Sequence, residues 1–534
     1  MEFNLADLFE CVVDAVPERV ALVCGDRRLT YRRLDERANR LAHHLHDAGV
    51  KPGEHVGMYL YNSTEYVECM LACVKIRAVP VNVNYRYVEG ELKYLFNDAD
   101  LVALVHQREF APRIAAVIEE VPKLRHLIVV DDASGADVSA IGSVFFDDVT
   151  NAATGERGFE PRSPDDVFII YTGGTTGMPK GVMWRQEDIF FTAMGGGNPL
   201  GEPISEPEQL GENALKRDPP LVQFAVPPLI HGAAQLGVFI GMFWGDKVVL
   251  QHRFDPADAW DLVERERVNS MTLVGDAMAR PLAEELVTSP KERDLSSLLI
   301  LSSAGAVLSE TVKQQIKANV PNVTVMENFG ATETGHQGFE AVGAAKPESG
   351  LRFMMKPTTT VLDDDFEPVA PGSGVVGRVA LKGRIPLGYY NDPEKTVKTF
   401  VEAGGERWVL PGDMGTIDAD GTVIVFGRGA VCINSGGEKI YPEEVESAVK
   451  AHPDVYDAVI VGVPDERWGE RVAAIVQPRP GTNPTLQSIQ EHSRTLIAGY
   501  KIPREVHVVD QMVRHPSGKP DYPWARGVAA GASR

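Results

Sequence analysis

Cysteine is scarce in this chain: five in 534 residues, an odd number at scattered positions. That excludes the disulfide framework of a small secreted protein and predicts reduced thiols in a cytoplasmic one. Cys69 and Cys73 stand one helical turn apart, but no second pair of metal ligands lies near them. Core packing is therefore expected, not metal binding. Long apolar runs are missing too. The most apolar stretch, about residues 232–244, contains Gln235 and several glycines and is too short to span a bilayer. The N-terminus, Met1-Glu-Phe-Asn-Leu-Ala-Asp7, lacks the basic-then-apolar order of a secretory signal, and the C-terminal Ala-Ser-Arg534 is not a peroxisomal address. Positive charge is also short. Lys and Arg number 53 against 75 Asp and Glu, a net charge of −22, which argues against nucleic-acid or anionic-membrane binding. An anionic substrate must be met by local cations.

A chain of this length exceeds what one hydrophobic core serves, so two or more lobes are expected. In residues 29–45, Leu34, Ala38, Leu41, Ala42 and Leu45 recur at helical spacing, with Thr30 or a neighbour placed to cap the helix. Strands and helices then alternate: His55–Tyr59, a helix over about 63–76, Val79–Val83, a helix near 88–98, and Leu101–Val105. This alternation predicts an α/β fold with largely parallel sheets. Residues 198–220, rich in Pro, Glu and Gly and without a period, predict a solvent-exposed loop or insertion. After Gly427-Arg428 comes a compact α/β segment of the size of a small domain, giving expected domains of 1–427 and 428–534.

The segment Tyr171-Thr-Gly-Gly-Thr-Thr-Gly-Met-Pro-Lys-Gly181 follows the apolar run Val167 to Ile170 and reads as a strand emptying into a loop. Gly173, Gly174, Gly177 and Gly181 permit tight turns that aim backbone N–H groups at a phosphate. Thr172, Thr175 and Thr176 add hydroxyl donors, and Lys180 adds a positive charge. The combination is a polyphosphate cradle. It is not of the Walker type, in which Gly, Lys and Ser or Thr are adjacent, because Met178 and Pro179 separate Gly177 from Lys180. The pattern resembles the phosphate loop of the adenylate-forming superfamily, which includes acyl-CoA synthetases, peptide-synthetase adenylation domains and luciferases. Gly173 stands where that family usually has Ser.

Further segments match the same superfamily in the same order, over nearly the whole chain. The resemblance implies a large N-terminal α/β lobe of several subdomains and a small mobile C-terminal α/β domain. In Asn328-Phe-Gly-Ala-Thr-Glu-Thr-Gly335 it places Asn328, Phe329 and Gly330 beside the nucleotide, Thr332 on the α-phosphate and Glu333 on Mg²⁺. Standing alone, Thr-Glu in a glycine loop would read as a helix cap. Ser303-Ala304-Gly305-Ala306 matches the adenine slot. Asp413 matches the aspartate on the ribose hydroxyls, with Pro411 where the family usually has Thr, and Arg428 matches the arginine that also reaches the ribose. His231 matches a residue between the acyl and pantetheine tunnels. Lys519, in His515-Pro-Ser-Gly-Lys519, matches the catalytic lysine that bridges the attacking carboxylate and the α-phosphate.

The run 427–446 matches the family's hinge and pantetheine segment, with Ser435, Gly436, Gly437 and Glu438 along the CoA arm. Gly429, Ala430 and Val431 occupy the place of the usual charged hinge residue, and Gly429 supplies backbone freedom instead. Trp468 and Tyr500-Lys501, with Arg504, are weaker candidates for the CoA nucleotide, each with surface packing as an equal reading. The implied function is ATP-dependent activation of a carboxylic acid to an acyl adenylate, then a CoA thioester, with Mg²⁺, ATP and CoA taking part and a homodimer left open. Two alternatives stand beside it: a ligase that passes the acyl group to a carrier protein, and a silent nucleotide- or acyl-binding regulator. Within the family the sequence is similar to actinobacterial ligases of sterol side-chain acids, through Lys180-Gly-Val-Met-Trp-Arg-Gln186 and the 429–434 hinge variant. Met194-Gly-Gly-Gly197 and Gly232-Ala-Ala234 are expected to leave a wide acyl pocket.

Overall fold

The computed structural model describes residues 1–173, 178–198, 201–320, 322–340, 350–435, 438–465, 468–515 and 518–531. Its largest sheet starts at the edge strand Arg27–Thr30, antiparallel to its neighbour, and then runs through six strands in parallel register: Val20–Cys24, Lys247–Leu250, Val222–Ala225, Ser270–Leu273, Ile300–Ala304 and Thr324–Ala331. It continues through antiparallel strands that include Gly335–Glu340, Leu351–Met355, Val423–Arg428 and Asp413–Ile417. A second, all-parallel sheet is built around His55–Tyr59, Val79–Asn82, Leu101–Gln107 and His126–Val130. Parallel strands need crossover helices, and those helices cover both faces, which is why these strands are mostly apolar. The C-terminal sheet, with Ile433–Ser435, Val455–Asp465, Gly469–Pro478 and Glu505–Val508, has its own core of Ile433, Val445, Ile460 and Ala474. The fold is thus α/β, with a large N-terminal lobe and a small C-terminal α/β unit.

The expected elements appear where the spacing puts them. The first long helix runs Tyr31–Asp47, and the Thr30 hydroxyl accepts from the Arg33 N–H at 3.2 Å. The next, Thr64–Lys75, is capped by Ser63 and carries Cys69 and Cys73 wholly buried in the core, both as free thiols. At its end Lys75 is inaccessible to solvent and bonds Asp35 at 2.7 Å, a buried charge that needs that partner. No helix among the described residues is long and apolar enough to cross a membrane.

Two expectations need correction. Residues 198–220 are not a plain loop. They hold the helix Gln209–Lys216, whose Leu210 and Ala214 are buried, and Gly211 lies so close to the Cys11 carbonyl that a Cβ would come within 2.9 Å. The apolar pair at 210 and 214 is one helical turn apart, a signal too short to stand out in a Pro-rich run. Nor do Gly196 and Gly197 widen a pocket. Both have positive φ, and a Cβ on either would come within 2.7 Å of Pro203 or Leu210. They make a packed turn.

Candidate functional site

The hairpin of Val167–Thr172 and Lys180–Arg185, in register Thr172 with Lys180, holds the ends of the glycine-rich loop. Gly174, Thr175, Thr176 and Gly177 lie outside the described residues. A single buried amide fixes the hairpin. Asn82 accepts from the Tyr171 N–H at 2.7 Å and donates to the carbonyls of Tyr171 at 2.8 Å and Ile230 at 2.6 Å. It therefore ties the phosphate-loop strand to the segment entering His231, which stands at the cap position of the apolar helix Gly232–Phe243. A Cβ on Gly232 would sit 3.1 Å from Ile170, so this glycine serves a close approach to Ile170, with the Thr332 hydroxyl next to it at 3.8 Å.

Thr332 and Glu333 occupy the turn between two antiparallel strands and cap no helix. Gly330 is obligatory there, because a Cβ would come within 2.1 Å of the Gly335 carbonyl. The buried Trp184 indole donates to the Thr332 carbonyl at 3.0 Å. Tyr389 donates its phenol proton to Glu333 Oε1 at 2.8 Å. The strand Gly388–Tyr389 lies against Lys180–Arg185, and three residues on, Asp392 forms an ion pair with Lys180. One short segment thus steadies both the carboxylate and the lysine.

Asp413 and Arg428 are cross-strand partners, with Arg428 Nε 3.4 Å from Asp413 Oδ1. Asp413 above all holds the guanidinium above its ordinary pKa, and Glu333, Tyr389 and Glu443 add to the effect. Lys519 faces the same group. Burial, then repulsion from Arg428, pushes its ammonium below the usual lysine value, while Glu333 and Asp413 pull the other way. Glu333, Asp413, Arg428 and Lys519 therefore share one electrostatic neighbourhood, although they come from segments far apart in the chain. Nearby, Ser303 is buried and accepts from the Gly275 N–H at 3.0 Å. Asn328 donates to Ser302 Oγ at 2.7 Å and to the Ser303 carbonyl at 3.3 Å, and Ala304 and Gly305 end the strand, Gly305 with φ of +79°. Phe329 packs on Phe353 with ring centres 5.3 Å apart. These three segments form one wall.

The structure does not bring the expected CoA residues to this cluster. Ser435 is buried and pairs with Gly469 in the C-terminal sheet, and Glu438 is exposed. Neither shares a hydrogen bond or ion pair with Glu333, Asp413 or Lys519 among the described residues. Gly436 and Gly437 lie outside them. Trp468 carries the Arg504 guanidinium 4.9 Å from its ring, and Lys501 pairs with Glu444 at 2.7 Å. Asn82, Tyr389 and Asp392 carry no signal of these roles in the sequence, and Trp184 stands there only within the Lys180–Gln186 run, with no role at Thr332. Asp392-Pro393 does announce the helix Pro393–Thr399, but nothing local announces its bond to a lysine 212 residues away.

A family model described as AMP-binding enzyme matches residues 9–390, and one described as AMP-binding enzyme C-terminal domain matches residues 444–519. A Mycolicibacterium smegmatis protein named medium/long-chain-fatty-acid--CoA/3-oxocholest-4-en-26-oate--CoA ligase is 49% identical over 99% of this chain and 97% of its own length. A 3-oxocholest-4-en-26-oate--CoA ligase of Rhodococcus rhodochrous is 47% identical over 98% of this chain and 96% of its own. The crystal structure of the anthranilate CoA ligase AuaEII with anthranoyl-AMP superposes with a TM-score of 0.85 at 24% identity, over 99% of this chain and 98% of that one.

Glu443 yields a prediction. Its Oε2 is buried without a hydrogen-bond partner, and its carboxyl lies over Gly427. Burial, then Glu446 and Asp413, raises it from 4.5 to about 8. The folded state then binds more protons than the unfolded one, so stability is full below about 4.5 and is lost as pH rises through about 8. Glu443→Gln, which cannot ionise, should melt higher than the parent at pH 8.5 and level with it at pH 4.5. An offset equal at both pH values would refute the assignment.

Proposed function

Because the chain belongs to the AMP-binding enzyme family, we infer that its site joins a carboxylic acid to ATP and then to CoA. The enzyme is an acid–CoA ligase of the AMP-forming kind, using ATP, CoA and Mg²⁺. The carrier-protein and silent-binder alternatives give way to relatives of 47–49% identity, over nearly the whole chain, named as CoA ligases. In the first half-reaction a carboxylate oxygen attacks the α-phosphorus, the bond to the β-phosphate oxygen breaks, and pyrophosphate leaves. In the second, the CoA sulfur attacks the acyl carbon and AMP leaves.

The assignment of roles is carried by the cross-strand pair of Asp413 with Arg428, 3.4 Å apart, in whose field and that of Glu333 the Lys519 ammonium lies. Lys519 neutralises the two anions that must meet, the carboxylate and the α-phosphate, at no cost of reorganisation. Asp413 accepts the ribose hydroxyls and Arg428 braces it. Thr172, Gly173 and Lys180, with the loop 174–177, hold the leaving phosphates. Thr332 donates to the α-phosphate, and His231 stands where the acyl and CoA paths meet. Ser303 to Gly305 and Asn328 to Gly330 form the adenine wall. Glu333 suits Mg²⁺, which takes one or two carboxylates and completes its shell with phosphate oxygens; Tyr389 holds one of its oxygens. When bound, the cation supplies charge to the departing phosphates.

The domains divide at 427/428, and the C-terminal one turns between half-reactions. That turn withdraws Lys519 and brings Ser435–Glu438, with Trp468, to the adenylate. The acid is long and apolar, a fatty acid or a sterol side chain like those named for the relatives. The helix Gly232–Phe243 supports this with an open apolar face, where Ala233 is exposed and a Cβ on Gly237 would meet nothing within 4 Å. The scarce, unpaired cysteines support a cytoplasmic setting. Mass spectrometry of acyl-CoA products from a pooled acid library tests the substrate class. Products confined to short or aromatic acids would overturn it.

Lys519→Ala should slow pyrophosphate release ~10²–10³-fold and spare thioester formation from supplied acyl adenylate. Because its pKa lies below the lysine norm, adenylation by the parent should decline on the alkaline side before an ordinary lysine would titrate. Equal loss in both half-reactions would remove the domain turn. Glu333→Gln should raise the Mg²⁺ concentration needed for half-maximal adenylation, since an amide is the poorer ligand for a hard cation. An unchanged Mg²⁺ titration would take Glu333 out of the metal site.

A further inference from the structure

Lys519 is delivered only if the C-terminal sheet is seated correctly, and one face of one helix carries that seat. In Gly275–Thr288, Asp276, Arg280 and Glu284 recur one turn apart, and each meets a residue of the C-terminal segment. Asp276 Oδ2 lies 4.0 Å from Lys450 Nζ, the Arg280 guanidinium lies 5.6 Å from the Tyr456 ring centre, and Glu284 Oε1 lies 3.3 Å from Arg479 Nη1. Ala277, beside Asp276, abuts the lysine loop: a Cβ on Gly518 would come within 2.9 Å of it.

Asp276 is itself anchored in the large lobe. Its Oδ1 accepts from the Ser309 N–H at 2.8 Å, and its Oδ2 accepts from Arg280 at 3.1 Å. From there a line of buried charges leads to the lysine. Lys450 lies 3.5 Å from Asp457, and Arg514 grips both Asp457 oxygens at 2.7 Å each. Arg514 Nη1 also donates to the Gly518 carbonyl at 3.1 Å, one residue before Lys519. Burial alone would raise the Asp457 carboxyl; Lys450 and Arg514 outweigh it and hold the group at about 2. The loop is closed by the Lys519 carbonyl, which accepts from the His515 N–H at 2.9 Å.

We propose that this helix face is the seat that fixes the C-terminal domain with Lys519 over Glu333 and Asp413. Asp276 is its positioning residue, acting through Lys450, Asp457 and Arg514. The inference rests on Lys519 serving the first half-reaction only. A turn of the domain parts these pairs, so they weigh on adenylation and leave the thioester step alone.

Glu284 and Arg479 are each about a third exposed, with side-chain accessibility of 31%, and can be exchanged without disturbing a core. Glu284→Arg should slow ATP-dependent pyrophosphate release roughly 3- to 10-fold, the scale of turning one exposed attraction into repulsion. Thioester formation from supplied acyl adenylate should not change. Arg479→Glu should do the same, and the double exchange should recover most of the rate. Asp276→Asn, with its melting point recorded, should cost more, on the order of 10- to 100-fold, because it leaves buried Lys450 without that partner. Both half-reactions slowing together in the Glu284 variant, no slowing at all, or a double exchange that fails to recover would overturn the seat. Lys519→Ala in the same assays separates the two readings. If it leaves pyrophosphate release intact, the role of Lys519 falls. If it abolishes release while the reversals at 284 and 479 change nothing, the seat alone falls.

Discussion

The ion pair of Asp413 with Arg428 is the constraint around which the site is arranged. A protein with a net charge of −22 must gather cations to hold a polyphosphate, yet cations taken from water are costly unless paired. Each cation of the site is accordingly kept beside a carboxylate: Arg428 by Asp413, Lys180 by Asp392, and Lys519 within the fields of Glu333 and Asp413. None of these three cations stands as a bare charge. The same pairing fixes direction, because each of these carboxylates is itself tethered. Asp413 lies in strand register with its partner, Asp392 caps the helix Pro393–Thr399, and Glu333 accepts from Tyr389.

That tethering couples parts that the chain keeps apart. Leu387 and Tyr390 donate their N–H groups to Met183 and Gly181, which zips the 387–392 segment onto the strand leaving the phosphate loop. Tyr389 and Asp392 then reach Glu333 and Lys180 from one rigid piece. Asn82 does the equivalent on the other side, joining the strand into the loop with the turn before His231. The phosphate loop is glycine-rich, so its geometry has to be set by what grips its ends.

Local signals carried far in the sequence. The helix at 31–47, its Thr30 cap and the strand at 55–59 were legible because periodicity and capping are properties of neighbouring residues. Asp413, Arg428 and Lys519 were singled out through resemblance, and the fold sets their charges in one neighbourhood. Tyr389, Asp392, Asn82 and Asp276 were not, because each acts on a partner at least 56 residues away and looks ordinary where it stands. The short helix at 209–216 was hidden by its Pro- and Glu-rich surroundings. At 196 and 197 the sequence shows glycine and says nothing of whether the missing side chain leaves space or is already replaced by a neighbour. Here Pro203, Phe191 and Leu210 fill it.

The crossing from large lobe to small shows the same logic in reverse. The family's usual hinge charge is absent, with Gly429 to Val431 in its place. What spans the crossing is a side chain from further along. Gly427, at φ of +126°, has no Cβ, and the Glu443 carboxyl takes the space: a Cβ there would come within 2.3 Å of Glu443 Oε2. Glycine at 427 and glutamate at 443 are therefore one device, since any other residue at 427 would expel the carboxyl. Phe426 and Tyr441 stack beside it with ring centres 5.4 Å apart, so the crossing is made of an apolar pair and a carboxyl that burial keeps neutral at neutral pH. A neutral contact costs little to break, because parting it strands no unpaired ion in a dry interior. Where the lobes must hold, at Asp276 and Lys450, the chain uses charge; in the Glu443 contact over Gly427 it uses none.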